Sequence, residues 1–270
     1  RALLRENDFR SAFNVMLEMR KKAEETNDKF GKFRMKCVTA AIYHSTTQYE
    51  SATNVYKELM ESEFSTGTVR SQLFMYIVRA YLRLHAYDEA EAYLKQWAEE
   101  LNKYGETDKK FPAKKFNWTR KSFLIDLYYR TNRENLAKAE IADLMKVHDY
   151  VPTTELLQEL VPVCASIELN NGNLEQAGKM INWLLSIRGS NREAWYLSLR
   201  AQLYTHLGKK DSAAISYRAT VDSMTKILYS SYNRSFDQFH EMAKGFETQK
   251  LNTSRQLRQT RIIILASITI

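Results

Sequence analysis

Turn-forming residues are scarce in this chain: its 270 residues include only 8 glycines and 3 prolines. A sandwich, a barrel or a run of hairpins needs breakers at most of its connections, so this scarcity argues against those folds and predicts an all-helical protein. Cysteine is scarcer still. Cys37 and Cys164 are too few and too far apart for a disulfide framework or a four-ligand zinc site, and both read as small buried hydrophobes. No signal peptide or cleavage pattern stands at the start; the chain opens at Arg1 within an amphipathic stretch and is expected to be a piece of a longer protein. Long apolar runs are missing too. The uncharged tail Ile262 to Ile270 falls well short of the ~20 residues a spanning helix needs, so it is expected either to be a buried helix end or to begin a truncated membrane helix.

Hydrophobic residues, by contrast, make up 44% of the chain, enough for a sizeable core. Basic residues exceed acidic ones, 40 against 32, for a formal net charge of +8. The excess is spread over 1–36, 103–121 and 244–261, which predicts solvated helix faces. No single phosphate-tracking surface follows, and nucleic acid is not the expected partner.

An alanine preceded by a short polar turn recurs at Ala12, Ala52, Ala90, Ala137, Ala177 and Ala213, with intervals of 40, 38, 47, 40 and 36 residues. Nine residues earlier stand Leu3, Tyr43, Tyr81, Tyr128, Glu168 and Tyr204; four residues later come Met16, Tyr56, Leu94, Ile141, Ile181 and Tyr217. Five residues before the alanines lie Asn7, Thr47, His85, Asn132, Gly172 and Gly208, residue types that end one helix or begin the next. Each unit therefore reads as helix, tight turn, helix. The alanine lets two helix axes approach, and the bulky residue one turn on fills the groove between them. Stacking such units would bury a continuous core.

The segments Leu73 to Trp97 and Trp195 to Tyr217 resemble the tetratricopeptide repeat, and the resemblance extends over roughly residues 1–228. It implies a helical-hairpin solenoid with a long C-terminal helix. The intervals exceed the usual ~34 residues, so the helices or loops are expected to be extended. The expected organisation is N-terminal repeats over 1–101, a loop or hinge over 102–117 marked by Gly105, Pro112 and lysines, and C-terminal repeats over 118–229. A capping or juxtamembrane helix over 230–261 and the start of a transmembrane helix over 262–270 complete it.

Catalytic motifs are not apparent. His44, His85, His148, His206 and His240 are scattered without a second ligand at metal spacing, and no glycine-rich phosphate loop or nucleophile elbow occurs. No cofactor, metal or catalytic residue is expected in this segment. Binding is the expected activity, on the face lined by the first helix of each unit. Arg79, Arg83, Asp126, Tyr129, Arg130, Trp195, Gln202 and His206 are the candidate groove residues, a mixture of aromatic and charged groups suited to a peptide, a protein or a small charged molecule.

Beyond the repeats, Tyr232, Phe236, Phe239, Ala243 and Phe246 follow a 4-3-4-3 spacing that places them on one helical stripe. The stripe predicts a cap over the last repeat, or a helix running through Arg261 toward a membrane and pairing in a homodimer. Repeats of this kind followed by a basic patch and an apolar run resemble the sensor region of membrane-anchored two-component histidine kinases of Bacteroidetes-type bacteria. That resemblance implies a periplasmic sensor module at the inner membrane, relaying a signal to kinase parts outside this segment. The alternatives are a soluble cytoplasmic scaffold that binds peptides in its groove, and the sensor region of a membrane-bound DNA-binding regulator.

Overall fold

In the computed structural model, residues 9–107, 111–146, 151–187 and 192–229 are described. They form an all-α chain of helical hairpins, with no strand among them. Helix α1 (Phe9–Glu25) leads into five pairs. The pairs are α2 (Lys29–Ser45) with α3 (Tyr49–Met60), α4 (Gly67–Arg83) with α5 (Tyr87–Thr107), and α6 (Ala113–Arg130) with α7 (Glu134–Leu144). Then follow α8 (Thr154–Asn170) with α9 (Leu174–Ser186), and α10 (Glu193–His206) with α11, helical over 210–229.

One turn geometry joins the two helices of every pair. Thr47, His85, Asn132, Gly172 and Gly208 all sit in the left-handed region, at φ between 57° and 77°. At each turn the next residue's N–H reaches back to a first-helix carbonyl: Gln48 to Tyr43 (2.9 Å), Ala86 to Tyr81 (3.0 Å), Arg133 to Tyr128 (2.7 Å), Asn173 to Glu168 (2.9 Å) and Lys209 to Tyr204 (2.9 Å). This is the six-residue Schellman closure, which satisfies a carbonyl the ending helix would leave unpaired. The recurring tyrosine is thus the residue whose carbonyl anchors the turn. Asn27 (φ 50°) makes an equally tight turn between α1 and α2, where Asp28 Oδ1 accepts from Gly31 N at 2.9 Å and caps α2.

The alanines behave as a packing device. Ala52, Ala90, Ala137 and Ala177 are fully buried and Ala213 nearly so. One turn on, Tyr56, Leu94 and Ile181 are sealed in the core, whereas Tyr217 is 45% exposed. In α11 the buried stripe runs through Ala213, Ser216 and Thr220, which turns Tyr217 outward. Leu3 and Asn7 lie outside the described residues, as do 230–261 and 262–270; Ala12 and Met16 fall within α1, their side chains outside the description.

Three second helices wedge between first helices: α3 packs on α2 and α4, α5 on α4 and α6, and α9 on α8 and α10, whereas α7 packs chiefly on α6. First helices also touch one another, α4 with α6, α6 with α8 and α8 with α10. Such an arrangement puts the first helices on the inner side of the stack. Within 102–117, α5 extends to Thr107 and α6 begins at Ala113, so the connection is much shorter than the span expected from Gly105, Pro112 and the lysines. Phe111 and Phe116 stack at 5.6 Å, and Phe116 lies 6.4 Å from the fully buried Trp97. Burial of these two rings ties the connection into the core shared by α2 through α6.

Candidate functional site

The first helices carry a tract of charged side chains. On α4, Tyr76, Arg79 and Arg83 recur at spacings of three and four, which places them on one face. Asp126 and Arg130 stand one turn apart on α6, Glu159 lies on α8, and Arg192 immediately precedes α10. His44 comes from the last turn of α2.

Glu159 is the hub. Its Oε1 accepts from Arg79 Nη2 at 3.0 Å and also pairs with Arg192 Nη2. Arg192 Nη1 donates to the backbone carbonyl of Gln158 at 2.9 Å. That carbonyl is free because Pro162, four residues on and inside α8, has no N–H to give it. A helix defect thereby becomes the acceptor that orients Arg192, and it ties α8 to the start of α10. Burial pushes the Glu159 carboxyl up, but Arg79, Arg192 and Arg83 outweigh it and hold the group below its usual value. Arg79 also lies over the Phe123 ring, 5.5 Å from its centroid.

Arg130 Nε donates to Asp126 Oδ1 at 2.8 Å. Burial of Asp126 raises its pKa in spite of that partner. Arg83 differs from the rest: it makes no ion pair among the described residues, and its side chain is exposed. Its pKa is nevertheless lowered, first by the protein atoms crowded round it and then by the charge of Arg192. Together the tract sets four guanidiniums (Arg79, Arg83, Arg130, Arg192) against two carboxylates (Asp126, Glu159).

Beside it, the His44 ring contacts Tyr49 (5.3 Å), Tyr76 (5.8 Å) and Tyr56 (6.2 Å), and Tyr56 stacks on Tyr76 at 5.4 Å. Burial, then Arg79 and Arg83, lower the His44 pKa to about 4, so the ring is neutral at neutral pH and adds no charge. His44 Nδ1, Tyr56 Oη and Arg79 Nε are all sealed from solvent without a hydrogen-bond partner.

Of the residues picked out by sequence, Arg79, Arg83, Asp126 and Arg130 come together here. Tyr129 and Trp195, expected on the open face, pack instead against the core around Ile125 and Val163, and Trp195 also reaches the next core toward Leu199. Both rings have more apolar area to bury between units than the open face offers. Gln202 Nε2 meets Ser198 Oγ on its own helix at 3.4 Å, and His206 is exposed in the last turn of α10. Glu159, Arg192 and His44 were not foreseen as members of the tract, although Pro162 was a signal for the freed carbonyl. Glu168 accepts from Asn173 Nδ2 at 2.6 Å, outside the tract. Cys164 is buried, and burial, with the nearby Glu168 charge, pushes its thiol up to about 12.

Among the described residues, no group of three or more His, Cys, Asp or Glu side chains could hold a metal ion, and no helix is long and apolar enough to cross a membrane. No family model matches the chain, and no curated protein matches it. Among solved structures it is similar to the crystal structure of BtubC (BKLC) from P. vanneervenii, at 14% identity and a TM-score of 0.49, over 82% of this chain and 91% of that one.

Proposed function

We propose that this chain is a binding module that recognises an extended protein segment along the face lined by α2, α4, α6, α8 and α10. One observation carries the reading: beyond their share of the core, the first helices touch one another and hold a contiguous charged tract in which Arg83 is exposed and makes no ion pair among the described residues. Side chains that only stabilised the stack would be expected to balance their charges, and these do not.

The tetratricopeptide-like register and the resemblance to histidine-kinase sensor regions supply the wider setting of this proposal, a sensor at the inner membrane with its repeats in the periplasm. In that setting a bound segment changes the geometry of α11 and of the chain beyond it. Tyr217, Val221, Met224 and Leu228 are exposed on α11 at spacings of four, three and four, which favours a second copy as the partner of this helix. Membrane attachment rests on the sequence of 262–270, outside the described residues.

Amide hydrogen exchange with and without a panel of extended peptides of differing charge tests the module. Protection concentrated on α4, α6 and α8 supports it; protection confined to α3, α5 and α7, or none with any peptide, contradicts it.

A further inference from the structure

We propose that the stack bends at one place, the joint between α7 and α8, and that the Arg79–Glu159 pair is a clasp across the inner face that holds this joint closed. The proposal concerns the chain alone and needs no bound segment, so it stands or falls apart from the binding reading above.

The repeat register marks the joint. Four residues after the alanine, Tyr56, Leu94 and Ile181 are sealed, because α3, α5 and α9 each wedge against the first helix that follows. Ile141 holds the same place in α7 but is only partly buried, and α7 packs chiefly on α6. The residues flanking the connection are open to water as well: Met145 is 68% exposed and Val151 86%. By contrast, the connection between α5 and α6 buries Phe111 against Phe116. Lys138 Nζ of α7 donates to Asn171 Oδ1 at the end of α8 at 3.1 Å, in an exposed position. A stacked unit is held by its neighbours, so a boundary with little sealed apolar contact opens first.

On either side of the joint the helices are tied together. Arg133 Nη2 donates to Glu91 Oε2 at 2.9 Å and fixes the start of α7 to α5, while Lys121 Nζ of α6 lies 3.1 Å from Glu140 Oε2 of α7. Arg192 joins α8 to the start of α10, and Arg200 Nε donates to Ser216 Oγ at 3.3 Å between α10 and α11. The helices up to α7 and those from α8 onward therefore move as two bodies, with the α6–α8 contact as fulcrum. On the inner side of that fulcrum, Arg79 of α4 lies over Phe123 of α6 and donates to Glu159 of α8 at 3.0 Å. The pair skips a whole unit, so it forms only while α4 and α8 lean together. Swinging α8 to α11 toward the outer side brings α9 toward α7 and pulls Arg79 and Glu159 apart.

The clasp is tested by pulsed electron-spin distance measurement between nitroxide labels on exposed positions, in a background lacking Cys37 and Cys164. Gln96→Cys on α5 with Asn182→Cys on α9 spans the joint; Asn54→Cys on α3 with Gln96→Cys, and Asn182→Cys with Ala214→Cys on α11, each lie on one side of it. Arg79→Gln releases the clasp and leaves Glu159 its partner Arg192. The spanning distance is expected to shorten by more than the width of the wild-type distribution, and both one-sided distances to stay as they are. Glu159→Asp, which keeps the charge but draws the carboxylate back, is expected to shift the spanning distance in the same direction by less, and it decides by the same criteria if Arg79→Gln does not fold. An unchanged or longer spanning distance overturns the clasp. One-sided distances that shift as much as the spanning one overturn the joint, because the stack then yields throughout.

Discussion

Replacing Glu159 by Gln keeps the size and shape of the side chain but removes the charge that holds two arginines. Its side chain is 17% exposed, Arg192 13% and Arg79 29%, so all three are largely withdrawn from water. Removing one partner of such a pair costs roughly 3–5 kcal/mol, chiefly by leaving the other charge uncompensated. Arg79 keeps its place over Phe123 and some contact with water, which puts the expected loss near the lower end, about 3 kcal/mol. Stacked repeats open in parts, so the loss is best read locally. Amide exchange in α8 and the first turns of α10 should quicken by about a hundredfold, since ~1.4 kcal/mol corresponds to tenfold.

The pH dependence has a definite sign. A carboxyl held below its usual value in the folded chain contributes stability that is fully present above its unfolded pKa. That contribution is lost as pH falls through the folded value. Wild-type protection of α8 should therefore fall in acid below about pH 4.3, the ordinary glutamate value, and Glu159→Gln should show a flatter acid limb. A cost under ~1 kcal/mol, the range of a surface pair, or identical acid limbs, would refute the picture of Glu159 as hub.

Other substitutions probe the turn, the packing and the helix defect. Thr47 is a β-branched residue at φ 63°, a conformation costing roughly 1–2 kcal/mol. After the entropy cost of glycine, Thr47→Gly should therefore stabilise the chain by about 1 kcal/mol in chemical denaturation; no change or a loss contradicts the strain. Ala137 is fully buried whereas Ala139 is exposed. Ala137→Leu should cost about 1–3 kcal/mol by overpacking and Ala139→Leu almost nothing, as the same denaturation experiment will show. Pro162→Ala restores an N–H that competes with Arg192 for the Gln158 carbonyl. In a double-mutant cycle Arg192→Gln should then cost less, by about 1 kcal/mol, than in the wild type, and equal costs would deny the proline its role.

The turn positions and the alanine register were legible in the sequence because both are steric. Left-handed backbone favours Gly and Asn, and close helix approach demands a small side chain. Asn27 escapes that register because its turn joins two units and no alanine follows at the usual offset. Phe111 and Phe116 overrode the loop signal of Gly105 and Pro112, since the area two rings bury outweighs local breaker preference. Arg79 and Arg83 could be placed on one face from their spacing. Their partner Glu159 lies 80 residues from Arg79, and Arg192 comes from another unit again. Such pairings depend on the stacking register of whole helices, which no local pattern carries. Trp195 shows the same limit: α10 is apolar on most sides, so its sequence does not mark which side faces out.

Thiol accessibility at two neighbouring alanines of α5 tests most directly whether the hairpins lock through their small residues. In a background lacking Cys37 and Cys164, Ala90→Cys places a thiol at a fully buried position and Ala92→Cys places one at an exposed position on the same helix. With an aromatic disulfide reagent, the Ala92→Cys variant is expected to react at the rate of a free thiol. The Ala90→Cys variant is expected to react only as fast as the stack opens, slower by at least about a thousandfold if opening costs ~4 kcal/mol. Equal rates for the two variants under native conditions would contradict the stacked arrangement.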